Sequence, residues 1–414
     1  MNFATWQQLS PEAAARELHA RARSRLSSAQ QRAVFALRYP EAELAERLRS
    51  TPRNLPLAGV PFLAKDLFDV AGAPTLAGTT FLNEVRPTPG RDGNFVKAVR
   101  ATGAVLAGKT NLHECAYGIT GENPHYGNCE HPRFPGRTTG GSSSGSAAAV
   151  AAGIVPFALG SDTGCSVRVP AAFCGLFGFR HSPNQDWIRD AVPLAPSFDT
   201  AGWFTANATD MRRALDALVG LRTSDREPRG CYLELPGVDP DVAVAFREAA
   251  GRLGPAADHA TAADLRHGFA PALDTYNTIT AIEAWEVHKG WAERYQERYG
   301  TVVWQRLNRV HSLTPAQRAD ADLALTAIRM LWTKFFLTFD FLVLPASPGP
   351  ALTEEQFTKE NRTRVLALTA PASIGGLPVL TVPVSLPSGL TTGLQIIVGD
   401  AQSPVVNWAL ERWS

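Results

Sequence analysis

The stretch Gly140–Ala171, GGSSSGSAAAVAAGIVPFALGSDTGCSVRVPA, decides how the rest of the chain is read. Two polar, glycine-rich turns bracket a near-uncharged Ala/Val segment. The first holds Ser142, Ser143, Ser144 and Ser146; the second is Asp162-Thr163-Gly164-Cys165-Ser166. Small residues packed this densely bring backbone close to backbone or to a ligand. That closeness is wanted where backbone N–H groups must face a developing negative charge. A phosphate-cradling loop is one alternative, because glycine-rich turns ahead of helices present N–H groups to anions. The Gly-Lys-Ser/Thr ending of a P-loop is missing, however. A tight structural connection is the other alternative. Neither accounts for four serines within Gly140–Ser146 followed by a second such turn about twenty residues on.

Working outward, the Ala-rich segment 146–152 reads as a helix packed closely on a sheet, and Ile154–Leu159 as a strand. Upstream, Gly59–Ala64 is a short buried-strand pattern that delivers Lys65 and Asp66 at its end. Phe95–Ala101 reads as helix and Ala104–Gly108 as strand, while residues 118–140 are loop-rich. Residues 10–49 read as helix: Ser10-Pro11-Glu12 is a cap with proline at the first helical position, and Pro40 breaks the run. Downstream of Phe179 the pattern weakens until Asp210–Leu221, a helix. Residues 222–300 are polar and helix-tending, and Ala316–Thr338 reads as a long helix. Phe341–Pro345, Val379–Val384 and Gly393–Val398 are late strands. Strands at both ends of the chain predict one α/β domain, with a mixed central β-sheet flanked by helices on both faces. The expected organisation is an N-terminal helical segment, residues 1–56, packing on a main domain, residues 57–414. Within the latter, 222–335 forms a variable, cap-like helical region.

At 414 residues and 45% hydrophobic, the chain can bury a large core. Its formal charge of +1 gives no attraction to nucleic acid or to a membrane surface. Five cysteines form no regular framework, which suits a reducing interior. The N-terminus lacks the apolar core of a secretory signal, and no run approaches the roughly 20 apolar residues of a membrane span. A cytoplasmic location is expected.

The chemistry-bearing residues follow. Lys65 has apolar neighbours before and after, and desolvation lowers a lysine pKa toward the neutral amine a general base needs. Ser166 sits in Asp162-Thr163-Gly164-Cys165-Ser166-Val167-Arg168 without the Gly-x-Ser-x-Gly elbow of an α/β-hydrolase. A serine nucleophile needs a base, yet none of the nine histidines has a context that points to Ser166. A Ser–Lys arrangement is the remaining option. His113, Cys115, His125, Cys129 and His131 are zinc-ligand types, but they lack paired Cys-x-x-Cys spacing and suit a pocket-lining loop better. No metal and no cofactor is expected.

On these residues the sequence resembles the amidase signature family. The match rests on Gly140–Ala171 with its Ser142-to-Ser166 spacing, on Gly59–Asp66, on Ser197-Phe198-Asp199-Thr200-Ala201-Gly202, and on Gly375-Gly376-Leu377-Pro378 with Val382-Pro383-Val384 and Gly393-Leu394-Gln395. The resemblance implies that family's fold and an amidase acting through a Ser–cis-Ser–Lys triad. Ser166 would be the nucleophile, Ser142 the bridging serine after a cis Gly141–Ser142 peptide, and Lys65 the base. The N–H groups of Thr163, Gly164, Cys165 and Ser166 would form the oxyanion hole, with Asp162 and Arg168 holding the loop. Ala116 and Tyr117 would line the pocket, although core packing is an equal reading for Tyr117. Cys165 stands where the family has glycine, and the segment after Arg180 departs from its pattern, which bears on the substrate wall. Gly121–Gly127 and Pro193–Asp199 resemble the branch of indole-acetamide and small-amide hydrolases. The implied partner is a small-molecule amide or urea-like substrate, with a homodimer or a small accessory subunit left open. A degenerate scaffold subunit and an amidotransferase A-subunit also stay open.

Overall fold

The structure, a computed structural model, describes residues 1–183 and 185–413. Ten strands form one mixed sheet: β1 Phe35–Arg38, β2 Pro61–Lys65, β3 Val105–Thr110, β4 Phe157–Ser161, β5 Phe177–Arg180, β6 Ala201–Thr205, β7 Gly230–Tyr232, β8 Phe341–Pro345, β9 Val379–Ser385 and β10 Thr391–Val398. Their order across the sheet is β1-β3-β2-β4-β6-β5-β9-β10-β8-β7. β2 runs parallel to β3 and β4, and β7 runs parallel to β8. The other pairs are antiparallel.

Every residue of β2 and β4 is buried, because helices cover both faces and a strand so covered reads as a continuous apolar run. Successive side chains still point to opposite faces. Phe62, Ala64, Phe157 and Leu159 enter one core with Phe95, Val99, Met211 and Val405 of the helices Asn94–Ala101, Ala208–Val219 and Pro404–Glu411. Leu63 and Ala158 enter the other, with Leu18 of Pro11–Arg25 and Ala148 of Ser144–Ala151. At the far end of the sheet, Leu342, Leu344 and Ile397 meet the helices of residues 259–375.

Four strands escape the sequence reading, among them β7, which lies in the region 222–300 read as helix-tending. Residues 10–49 are not all helix: β1 pairs antiparallel with β3, Phe35 opposite Thr110. It is an edge strand of only four residues, and only its partner distinguishes it from a continuing helix. β5 and β6 lie mid-sheet, antiparallel to each other, where the sequence shows no regular pattern.

The helix Ser144–Ala151 packs closely against neighbouring backbone. Ala147, Ala148 and Ala149 are fully buried, and a Cβ on Gly145 would lie 2.5 Å from Val34 O and 2.6 Å from Asn111 O. Both neighbours are backbone and cannot rotate away. Gly145→Ala is therefore expected to destabilise the fold by about 1–3 kcal/mol, read as a lower urea midpoint at an unaltered m-value; an unaltered midpoint would show that the backbone yields.

Candidate active site

The apolar run of β2 carries Lys65 to the strand's end, where the side chain is wholly buried. Its Nζ donates to Ser142 Oγ at 2.8 Å and to Ser161 Oγ at 2.9 Å. Burial pulls the ammonium down to about 7, against the opposing pull of the Asp162 and Asp199 carboxylates. A neutral amine is thus available near neutral pH.

The serine-rich turn divides its labour. The Gly141–Ser142 peptide is cis, as the resemblance implies, and only Ser142 of this turn meets Lys65. Ser143 Oγ donates to Ser161 O at 3.1 Å, and Ser146 Oγ donates to Leu159 O at 2.7 Å. These two stitch the helix onto β4. Ser142 O in turn accepts His113 N–H at 3.0 Å.

Ser166 lies where the loop after β4 enters the helix Arg168–Cys174, and it is 4% exposed. It lines a small cavity with Thr163, Gly164 and Cys165. Among the described residues, none accepts a hydrogen bond from the backbone N–H of any of these four. An unpaired buried N–H is costly, so four in succession form a natural anion acceptor. Ser166 Oγ itself has no hydrogen-bond partner among the described residues.

The loop is held from beneath. Asp162 accepts Arg168 Nε at 3.1 Å, an Arg180 terminal N–H at 2.8 Å and Val167 N–H at 2.9 Å. Burial works against its ionisation, but the Arg168 and Arg180 guanidinia hold the carboxyl well below the usual carboxylate range. Arg168 also donates to Gly164 O at 2.6 Å. Thr163 Oγ1 donates to Asp199 Oδ1 at 2.6 Å. Asp162→Asn leaves two buried guanidinia without a counter-charge. An expected loss of about 3–5 kcal/mol follows, checked by urea unfolding; an unshifted midpoint would remove this ion triad from the loop's support.

Ala116 and Tyr117 line the same cavity, as the sequence expects. Cys115 and Ala116 have left-handed backbone, φ 53° and 57°, rare for residues with a Cβ and concentrated at functional sites. Cys165 does not, so its position needs no glycine. Burial pushes its thiol up to about 12.

Three further wall residues carry no sequence signal: Tyr276 from the helix Ala272–His288, and Arg362 and Leu366 from Lys359–Gly375. A Cβ on Gly164 would meet the Tyr276 hydroxyl at 2.4 Å, so that hydroxyl lies directly over the loop. The remaining space, about 10 Å³, holds about one water.

One expectation changes. None of the described residues among 181–192 lines this cavity; Trp187 instead stacks on Phe95 at 5.1 Å, with Trp203 at 6.4 Å. Tyr276, Arg362 and Leu366 of later helices complete the wall begun by residues 116–119. The His/Cys group of residues 113–131 is dispersed: His125 pairs with Glu114 at 2.8 Å, and His131 bonds Phe173 O at 3.2 Å. Among the described residues, no cluster of three or more His, Cys, Asp or Glu could hold a metal ion. No helix among them is long and apolar enough to cross a membrane.

Similarity to known proteins follows the same residues. A family profile described as Amidase matches residues 20–250. The 1-carboxybiuret hydrolase subunit AtzE of Pseudomonas sp. (strain ADP) is 32% identical over 378 residues, covering 83% of this chain and 80% of that protein. The indoleacetamide hydrolase of Pseudomonas savastanoi is 42% identical over 172 residues, 42% of this chain and 37% of that protein. A crystal structure described as an amidase superposes over the whole of both chains, with a TM-score of 0.86 and 30% identity. The profile match takes in both Lys65 and the stretch from Ser142 to Ser166, and on a likeness spanning more than half its length the chain belongs to the amidase family.

Proposed function

We propose that the chain is an amidohydrolase that cleaves the C–N bond of a small carboxamide or urea-like substrate through an acyl-enzyme on Ser166. The observation that carries this reading is the buried Lys65 Nζ, pulled to about 7 and hydrogen-bonded to Ser142 Oγ at 2.8 Å. In the first step Ser166 Oγ attacks the carbonyl carbon, and its proton passes through Ser142 to Lys65. The oxyanion is taken by the free N–H groups of the loop from Thr163 to Ser166. Collapse breaks the C–N bond, and the proton returns through Ser142 to the departing ammonia or amine. Water, deprotonated along the same path, then attacks the acyl ester and releases the acid.

We read Ala116 and Tyr117 as walls of the acyl or leaving-group pocket, and residues 222–335, which contribute Tyr276, as the cap over it. The similarity to a carboxybiuret hydrolase subunit and an indoleacetamide hydrolase supports amides and ureas as the substrate class. The test is ammonia release across aryl-acetamides, aliphatic amides, biuret-type ureas and glutamine, run beside a fluorophosphonate label located by peptide mapping. Turnover of at least one of these compounds with label on Ser166 is the expected result. Turnover with the label on another residue, or no turnover on any class, would overturn the reading.

A further inference from the structure

Among the described residues, the wall of the Ser166 cavity carries one formal charge, that of Arg362. Its Nε is buried without a hydrogen-bond partner, and one terminal N–H group reaches only Asn277 Oδ1, at a long 3.4 Å. No carboxylate among the described residues lies within ion-pair distance of it. The two buried arginines beneath the loop show the contrast: Arg168 and Arg180 share Asp162. A second cation reinforces the field. Arg306 is pulled down to about 10 by burial and by the repulsion of Arg362, and it donates to Tyr117 O. Glu122, whose carboxylate accepts the Thr120 hydroxyl, is beyond ion-pair distance of it.

A guanidinium without a counter-charge is an open site for an anion. Arg362 is partly buried and lines the cavity beside the nucleophile. A neutral aryl-acetamide would leave it unpaired. A zwitterion such as glutamine would bring an ammonium, and no carboxylate lines the cavity to receive it. A carboxylate fits, because the planar guanidinium fork matches its two oxygens.

We propose that the substrate is an anionic monoamide, carrying a carboxylate that Arg362 binds while Ser166 attacks the amide carbon. This rests on the amidohydrolase reading above. The test compares kcat/KM for malonamate and succinamate with that for the uncharged malonamide and succinamide. Wild type, Arg362→Gln and Arg362→Lys are measured alike, with thermal melts to establish folding. In the wild type the anion is expected to be favoured by about 10- to 100-fold. Arg362→Gln should remove most of that ratio, and Arg362→Lys should restore part of it. A wild-type ratio near one, or a ratio unaltered by Arg362→Gln, overturns the inference while leaving the amidohydrolase reading standing. Should Arg362→Gln not fold, the wild-type and lysine ratios decide. Absence of turnover on all four compounds and on every amide of the wider panel overturns both.

Discussion

Replacing Ser166 by alanine is expected to lower kcat for every amide the protein hydrolyses by about 10⁴-fold or more, and to abolish fluorophosphonate labelling. The size follows from the role. Without the Oγ no acyl-enzyme forms, and what remains is the loop's N–H donors and whatever orientation the cavity imposes on a water molecule. The variant should fold, because Ser166 Oγ makes no hydrogen bond to the described residues, and Asp162, Arg168 and Arg180 hold the loop independently. The melting temperature therefore acts as an internal control. Turnover retained within tenfold, at an unaltered melting temperature, would remove Ser166 from the chemistry. Ser143 offers the matched comparison: it lies in the other turn and bonds Ser161 O, so its alanine variant should lose stability before it loses mechanism.

The second large effect is the pH dependence set by Lys65. Burial places this group at about 7, below its ordinary value of 10.5. The form that accepts a proton from Ser142 is the neutral amine, so the sign is fixed. Activity is present above about pH 7 and lost as pH falls through it, with kcat/KM dropping roughly tenfold per unit well below the midpoint. Lys65→Arg keeps a cation at every working pH, and should lower kcat by about 10²- to 10⁴-fold and abolish the acid limb. Rates measured from pH 5.5 to 9 in both proteins check this. A wild-type profile flat across that range would deny Lys65 the role of base.

Much of this site was legible before any fold was known. The run Pro61–Ala64 is uniformly apolar because β2 is buried on both faces, and it announces that Lys65 leaves water at its end. The doubled small-residue turns of Gly140–Ala171 are crowded because a helix meets backbone at Gly145 and an N–H loop must stay open at Gly164. Such demands restrict the residue at each position, so they leave marks in one sequence. Arg362 and Tyr276 left none. Each sits in a helix of ordinary composition, 196 and 110 residues beyond Ser166, and nothing local in a helical segment tells which side chain will face a nucleophile.

What the sequence offered by itself is therefore the candidate unit, Lys65 and Ser166 by their own context and Ser142 and the N–H loop through the family resemblance, together with the α/β sheet that carries them. These depend on backbone proximity and strand burial, which constrain residue type directly. Tertiary structure alone decided the rest. It made edge strand β1 a strand, because only its antiparallel partner β3 supplies the hydrogen bonds. It distributed the serines among Lys65, β4 and the helix. It also placed Tyr276, Arg362 and Leu366 on the wall of the cavity beside Ser166, while Trp187 of the 181–192 segment packs on Phe95. A pocket is a surface shared by distant elements, and only the folded chain brings its walls together.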